Sequence, residues 1–131
     1  MPRVLVVEDN ELVAKFYRMA LERVGGFQVT CLEDVDAILR LVADRAFDVL
    51  ILDVSLRNCR FDGRNVDGLE LARLIRGMPE GKTLPILLAT AHTMEGDRER
   101  LLTASGANAY LEKPIYDPRV LVDKVRQLVA N

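Results

Sequence analysis

Val49-Leu50-Ile51-Leu52-Asp53 is the stretch whose reading decides the fold. Four consecutive apolar residues read as a strand buried on both faces, the kind that parallel sheets use, and the acid that follows at once is delivered to the sheet rim. Open α/β sheets bind their ligands at that rim. A second such run lies near the start, where Val4-Leu5-Val6-Val7 leads into Glu8 and Asp9. As neighbours the two strands would bring three carboxylates to one spot, an arrangement that is electrostatically costly unless a cation sits in it. The competing reading is that each acid only caps the helix after its strand.

Outward from these strands, apolar spacing alternates between two periods. Glu11 to Val24 reads as a helix capped by Asp9 or Asn10 and stopped by Gly25-Gly26. Phe27 to Cys31 is a short strand and Asp34 to Ala43 a helix. After Asp53 comes a loop, Arg57 to Asn65, with Asn58, Asp62 and Gly63 as turn formers. Gly68 to Arg76 is a helix ended by Gly77 and Pro79, and Pro85 to Thr90 a buried strand that terminates in a hydroxyl. A charged, lightly anchored helix from about Met94 to Ser105 follows, then a strand Ala109 to Leu111, then a last amphipathic helix from Pro118 to Val129. Five strand and helix pairs in strict alternation indicate an α/β fold: a doubly wound five-stranded parallel sheet covered by helices on both faces.

The first helix carries more apolar surface than one-sided packing needs. Leu12, Val13, Phe16, Tyr17, Met19, Ala20, Leu21 and Val24 span roughly 200°, against somewhat over 100° for such a helix. Either neighbouring helices and long basic side chains cover the surplus, or it forms a partner-docking face near Val13, Phe16 and Tyr17.

The 131 residues, half of them apolar, suit one domain over residues 1–131. With 18 Lys plus Arg against 20 Asp plus Glu, the net charge of -2 supplies no field to draw the chain to nucleic acid or anionic lipid. Two cysteines, Cys31 and Cys59, and one histidine fit neither a disulfide framework nor a zinc site, and a reducing cytoplasm is the expected setting. No apolar run reaches the length of a membrane span.

The strand ends together carry Glu8 and Asp9, Asp53, Thr90, and Lys113. In this order, with Asp67-Gly68-Leu69-Glu70-Leu71, Ala89-Thr90-Ala91 and Tyr110-Leu111-Glu112-Lys113-Pro114, the chain resembles, over essentially its whole length, the receiver domain of two-component response regulators. The resemblance implies a flavodoxin-like strand order of 2-1-3-4-5. It implies that Asp53 is the phosphoacceptor, attacking the phosphorus of a phosphohistidine or small acyl phosphate to give an aspartyl phosphate. It further implies that Glu8, Asp9, Asp53 and the backbone carbonyl of Ser55 hold Mg2+ (or Mn2+), hard oxygen ligands being what that ion takes. Lys113 and Thr90 would contact phosphoryl oxygens, and Thr90 with Tyr110 would switch the surface of the fourth helix, fifth strand and fifth helix. Ser55 and His92 match positions that tune the lifetime of the phosphate, and Lys113-Pro114 a junction that is usually cis. The implied partners are a histidine kinase or histidine phosphotransfer protein and a downstream protein target or output domain. With no further segment after the last helix, the chain taken as whole is expected to act by protein contact.

Between Asp53 and Asp67 the chain is about seven residues longer than such a domain usually is, judged against loops of a few residues. Arg57, Arg60 and Arg64 fall there with Asp62, as a solvated excursion or as an element that reads a partner or steers phosphate. Two other classes fit less well. An aspartyl-phosphate phosphatase of the haloacid dehalogenase type needs a second Asp two positions on, where Ser55 stands. A flavin carrier of the same topology needs a phosphate loop where Glu8 and Asp9 would repel the ligand. A non-phosphorylated pseudo-receiver, an interaction module of the same fold, is the remaining alternative.

Overall fold

Val49–Asp53 is buried throughout as strand β3, because it lies in the middle of a parallel sheet and gives side chains to both faces. In the computed structural model, which describes residues 2–56, 59–91 and 96–130 (Asp97 by its backbone alone), β1 is Arg3–Val7 and β2 Gln28–Cys31. Two later strands complete the sheet, β6 at Ile86–Thr90 and β7 at Ala109–Glu112, in the order β2-β1-β3-β6-β7. All neighbours are parallel, so every strand delivers its carboxyl end to the same rim. Counted within the sheet alone, the order is the expected 2-1-3-4-5.

The period of two along each strand splits the apolar runs between two cores. Leu5, Val7, Leu50, Leu52, Ile86 and Leu88 face one way, against Val35, Ile38 and Val42 of helix α2 (Val35–Ala43) and Leu71, Ala72 and Ile75 of helix α3 (Gly68–Arg76). Val4, Val6, Val49, Ile51, Leu87 and Ala89 face the other way. They meet Tyr17, Ala20 and Leu21 of the first helical segment and Leu121, Val122 and Val125 of helix α5 (Pro118–Ala130). Each fully buried Leu or Ile of these layers is worth roughly 1.5–3 kcal/mol relative to exposure.

The first helix is two pieces. Helix α1 runs Glu11–Met19, and Ala20–Val24 continues it as a wider π turn closed by Gly25 N–H donating to the Ala20 carbonyl at 3.1 Å. Its N-cap is Asn10, whose Oδ1 accepts from the backbone of Leu12 and Val13 at 3.0 and 3.2 Å. Asp9 is thereby left out of the cap. Helix α4, Asp97–Ser105, starts at Gly96 in the left-handed region without a side-chain cap, and its buried positions, Leu101 and Ser105, fall in its second half.

Two expectations need correction. The segment read as a loop contains a β-hairpin, β4 (Arg60–Phe61) against β5 (Arg64–Asn65). Its tip, Asp62-Gly63, has φ of 55° and 80°, the pair of left-handed residues that matches hairpin twist. Cys59 and Val66 at its base are buried and joined by a 2.8 Å backbone bond, and Arg64 pairs with Glu70 of α3 at 3.1 Å. Arg57, the first residue of that segment, lies outside the described residues. The second is Tyr17, one of the three residues of the docking-face alternative. It is 1% exposed, turned under α5 and the sheet, whereas Leu12, five residues earlier, is 80% exposed.

Candidate functional site

At the rim, β1 and β3 are adjacent, with Val7 opposite Leu52. Glu8, Asp9 and Asp53, the residues that end or follow these strands, therefore meet: one carboxylate oxygen from each lies within 4.8 Å of the others. Glu8 and Asp53 are buried and Asp9 half-buried. β7 brings in the cation. Lys113 Nζ lies 3.0 Å from Glu8 Oε1 and 3.4 Å from Asp53 Oδ1, and the Lys113-Pro114 peptide is cis. Its own N–H donates to the Thr90 carbonyl at 2.8 Å, which fastens the end of β7 to the end of β6.

Backbone donors orient the acids. Asn10 N–H donates to Glu8 Oε2 and Ser55 N–H to Asp53 Oδ1, each at 3.2 Å. Thr90 is fully buried at the end of β6, and Tyr110 is half-buried on β7 opposite Leu88. Ser55 is exposed two residues beyond Asp53. His92 lies outside the described residues.

Crowding of negative charge shows in the electrostatics. Burial first, and then the hydrogen bond with Asp53, push the Glu8 carboxyl up to about 7, with Lys113 pulling the other way. For Lys113 burial works to lower the ammonium, but the bond to Glu8 and the charge of Asp53 outweigh it and hold the group above its ordinary value. The Tyr17 hydroxyl, buried beneath this cluster, is pushed well above the usual phenol range by burial, then by the charges of Glu8 and Asp53. Among the described residues its oxygen has no hydrogen-bond partner.

A hard divalent ion fits this donor set. Among the described residues three carboxylates face one another with the ammonium of Lys113 to offset them, and a buried acid that retains its proton to about 7 has one to give up to a cation. Beside the cluster, a cavity of about 400 Å³ opens between α1 and the segment after β7, walled by Leu12, Val13, Phe16, Pro114 and Ile115, with Tyr17 and Lys113 at its inner end. The sequence carried no sign that Pro114 and Ile115 would close over Phe16, since that contact joins the two ends of the chain.

A parallel five-stranded sheet with an acid cluster and a lysine at its carboxyl rim defines a phosphoacceptor class of signalling module. The chain belongs to the response regulator receiver domain family, whose pattern matches residues 4–126. Over 122 residues it is 39% identical to the phosphate regulon transcriptional regulatory protein PhoB of Rhizobium meliloti, covering 92% of this chain and 49% of that protein. It is 33% identical over 122 residues to the polar-differentiation response regulator DivK of Brucella anthropi, covering 92% of each. The chain thus spans about half the length of PhoB and nearly all of DivK. Among solved structures, the receiver domain of the sensor histidine kinase PA1611 of Pseudomonas aeruginosa superposes with a TM-score of 0.81 at 28% identity, over 99% of this chain and 98% of that one. That structure has a magnesium ion coordinated in the active site cleft. A receiver is a signalling phosphoacceptor module rather than a catalytic enzyme, and its general partner is a histidine kinase. No helix among the described residues is long and apolar enough to cross a membrane.

Proposed function

We propose that Asp53 accepts a phosphoryl group from a phosphohistidine, on a histidine kinase or histidine phosphotransfer protein, with Glu8, Asp9, Asp53 and the Ser55 carbonyl holding Mg2+. The observation that carries the reading is the single ammonium of Lys113 shared between Glu8 and Asp53 inside a three-carboxylate cluster at the sheet rim. A carboxylate attacking an already anionic phosphoryl group must have both charges neutralised, and the bound cation supplies that neutralisation. An Asp53 oxygen attacks phosphorus as the imidazole nitrogen leaves with the bonding pair. Ser55 N–H, already on Asp53 Oδ1, keeps the other carboxylate oxygen engaged and fixes the angle of attack. Lys113 transfers part of its bonding from Glu8 to a phosphoryl oxygen, and Thr90 donates its hydroxyl to another. Ser55 and His92 tune how long the acyl phosphate survives hydrolysis by water.

The phosphorylated Asp53 draws Thr90 towards it, Tyr110 changes rotamer, and the surface of α4, β7 and α5 is remodelled for a downstream target. The apolar cavity over Phe16 and Ile115, rimmed by exposed Leu12, takes side chains of the docking phosphodonor. Incubation with Mg2+ and a small phosphodonor tests the acceptor. Intact mass should show one hydroxylamine-sensitive phosphate on the chain and none on Asp53→Asn. A label that persists in that variant would overturn the assignment.

A further inference from the structure

Tyr17 carries the one buried side-chain nitrogen or oxygen that has no partner among the described residues, its hydroxyl oxygen. The register of the sheet places it. Side chains alternate along a strand, so Glu8 follows Val4 and Val6, and Asp53 follows Val49 and Ile51, onto the side of the sheet that α1 and α5 cover. Lys113 follows Ala109 and Leu111 to the same side. Tyr17 is buried in that compartment, and it shares with Lys113 the inner end of the cavity between α1 and the segment after β7. Its ring therefore lies on the face to which both acids and the lysine turn. Burial first, and then the charges of Glu8 and Asp53, hold its proton on well above the usual phenol range, which keeps the hydroxyl a hydrogen-bond donor.

Glu8 is the group that stands to need one. Its side chain is 1% exposed, and Lys113 Nζ serves Oε1 at 3.0 Å while Asn10 N–H serves Oε2 at 3.2 Å. Lys113 also lies 3.4 Å from Oδ1 of Asp53, the residue that would become the acyl phosphate. When the ammonium turns to a phosphoryl oxygen, Oε1 of Glu8 loses its donor in a place closed to water, and a buried charged oxygen left unserved is costly. Carboxylate oxygens accept more than one bond, so a divalent ion on Glu8 leaves room for a hydroxyl.

We infer that Tyr17 is a positioning residue for phosphoryl transfer, its hydroxyl donating to Glu8 Oε1 when Lys113 leaves for the phosphoryl group. The inference rests on the reading of Asp53 as acceptor and adds to it what holds Glu8 in place once its ammonium has gone. The bond that the hydroxyl lacks in the resting protein is the one it makes in the phosphorylated protein.

Tyrosine labelled with 13C at Cζ tests this, because the chain has three tyrosines, Tyr17, Tyr110 and Tyr116, and the signal lost in Tyr17→Phe identifies the first. With Mg2+ and beryllofluoride the Tyr17 hydroxyl proton should move downfield, as a bond to a carboxylate requires, while the amides of Val54 and Ser55 report occupancy at Asp53. Beryllofluoride should bind Tyr17→Phe about tenfold more weakly than the parent at the same Mg2+, the size of one hydrogen bond to a charged group. In Lys113→Met, with neither reagent present, the hydroxyl proton should already lie downfield, a result that does not depend on Asp53. Amide shifts at Val54 and Ser55 with an unmoved Tyr17 hydroxyl, equal beryllofluoride affinity in Tyr17→Phe, or an unmoved hydroxyl in Lys113→Met would each overturn the role of Tyr17 and leave the acceptor reading standing. Silence at Val54 and Ser55 would overturn the acceptor reading and the role of Tyr17 with it.

Discussion

Replacing Glu8 by Gln in protein stripped of divalent ions should stabilise it, increasingly so as pH rises. Glu8 is 3% exposed, and its carboxyl is raised from 4.5 to about 7, chiefly by burial and then by the bond with Asp53. A carboxyl raised by folding leaves the fold unaffected while protonated in both states, below 4.5, and weakens it progressively up to about 7, above which the penalty is complete. The interval of about 2.5 pH units corresponds to about 3 kcal/mol, most of it developing between about pH 5 and pH 8. Gln reproduces the shape and hydrogen bonding of the protonated acid, including acceptance from Lys113, but cannot ionise. Urea unfolding of parent and variant in EDTA, across that pH range, measures the difference directly. Acids such as Asp48, held low by its hydrogen bond from Arg3, contribute equally to both proteins and cancel. A variant less stable than the parent at pH 8, or a difference flat with pH, would refute the account of Glu8 as a buried acid under strain.

Other perturbations probe the same architecture. Mg2+ should raise the melting temperature of the parent more at pH 8 than at pH 6, because the ion competes with the proton on Glu8; thermal scans at fixed Mg2+ should show a much smaller rise in Glu8→Gln. Tyr17→Phe removes a buried hydroxyl that has no partner among the described residues, and should stabilise by about 1–2 kcal/mol in urea unfolding, whereas a loss of stability would mean that the hydroxyl is bonded. In Gly68→Ala the new methyl would collide with the Asp53 carbonyl oxygen, and β3 and α3 are already joined there by Gly68 N–H on the Val54 carbonyl. That variant should lose about 1–3 kcal/mol or more and phosphorylate more slowly, read by unfolding and by the rate of mass gain with a small phosphodonor.

The sheet was legible because its strands are continuous apolar runs, and the rim because the acids, the threonine and the lysine each end a run. The competition between capping and clustering at Asp9 was settled by the next residue. Asn10 takes the cap, and Asp9 turns to the site. The two readings of the first helix stayed open at Tyr17 because helical phase gives the width of an apolar arc but not which part a distant helix covers, and here α5 and the π turn bury the middle of it. The hairpin escaped notice for a different reason. Asp62-Gly63 is a strong two-residue turn signal, but only two residues pair on either side, too few to show alternation. The bonds from Arg73 and Arg76 to the carbonyls of Ala104 and Gly106 at the end of α4 join residues about thirty positions apart, and no local pattern announces such a contact.

Because the strands send alternate side chains to opposite sides, the sheet divides the interior into two apolar compartments that share no side chains. α1 and α5 close one, and α2, α3 and α4 close the other. The rim, where Asp53, Thr90 and Lys113 stand at the ends of strands that serve both compartments, is where one new bond would be felt on both sides of the sheet at once.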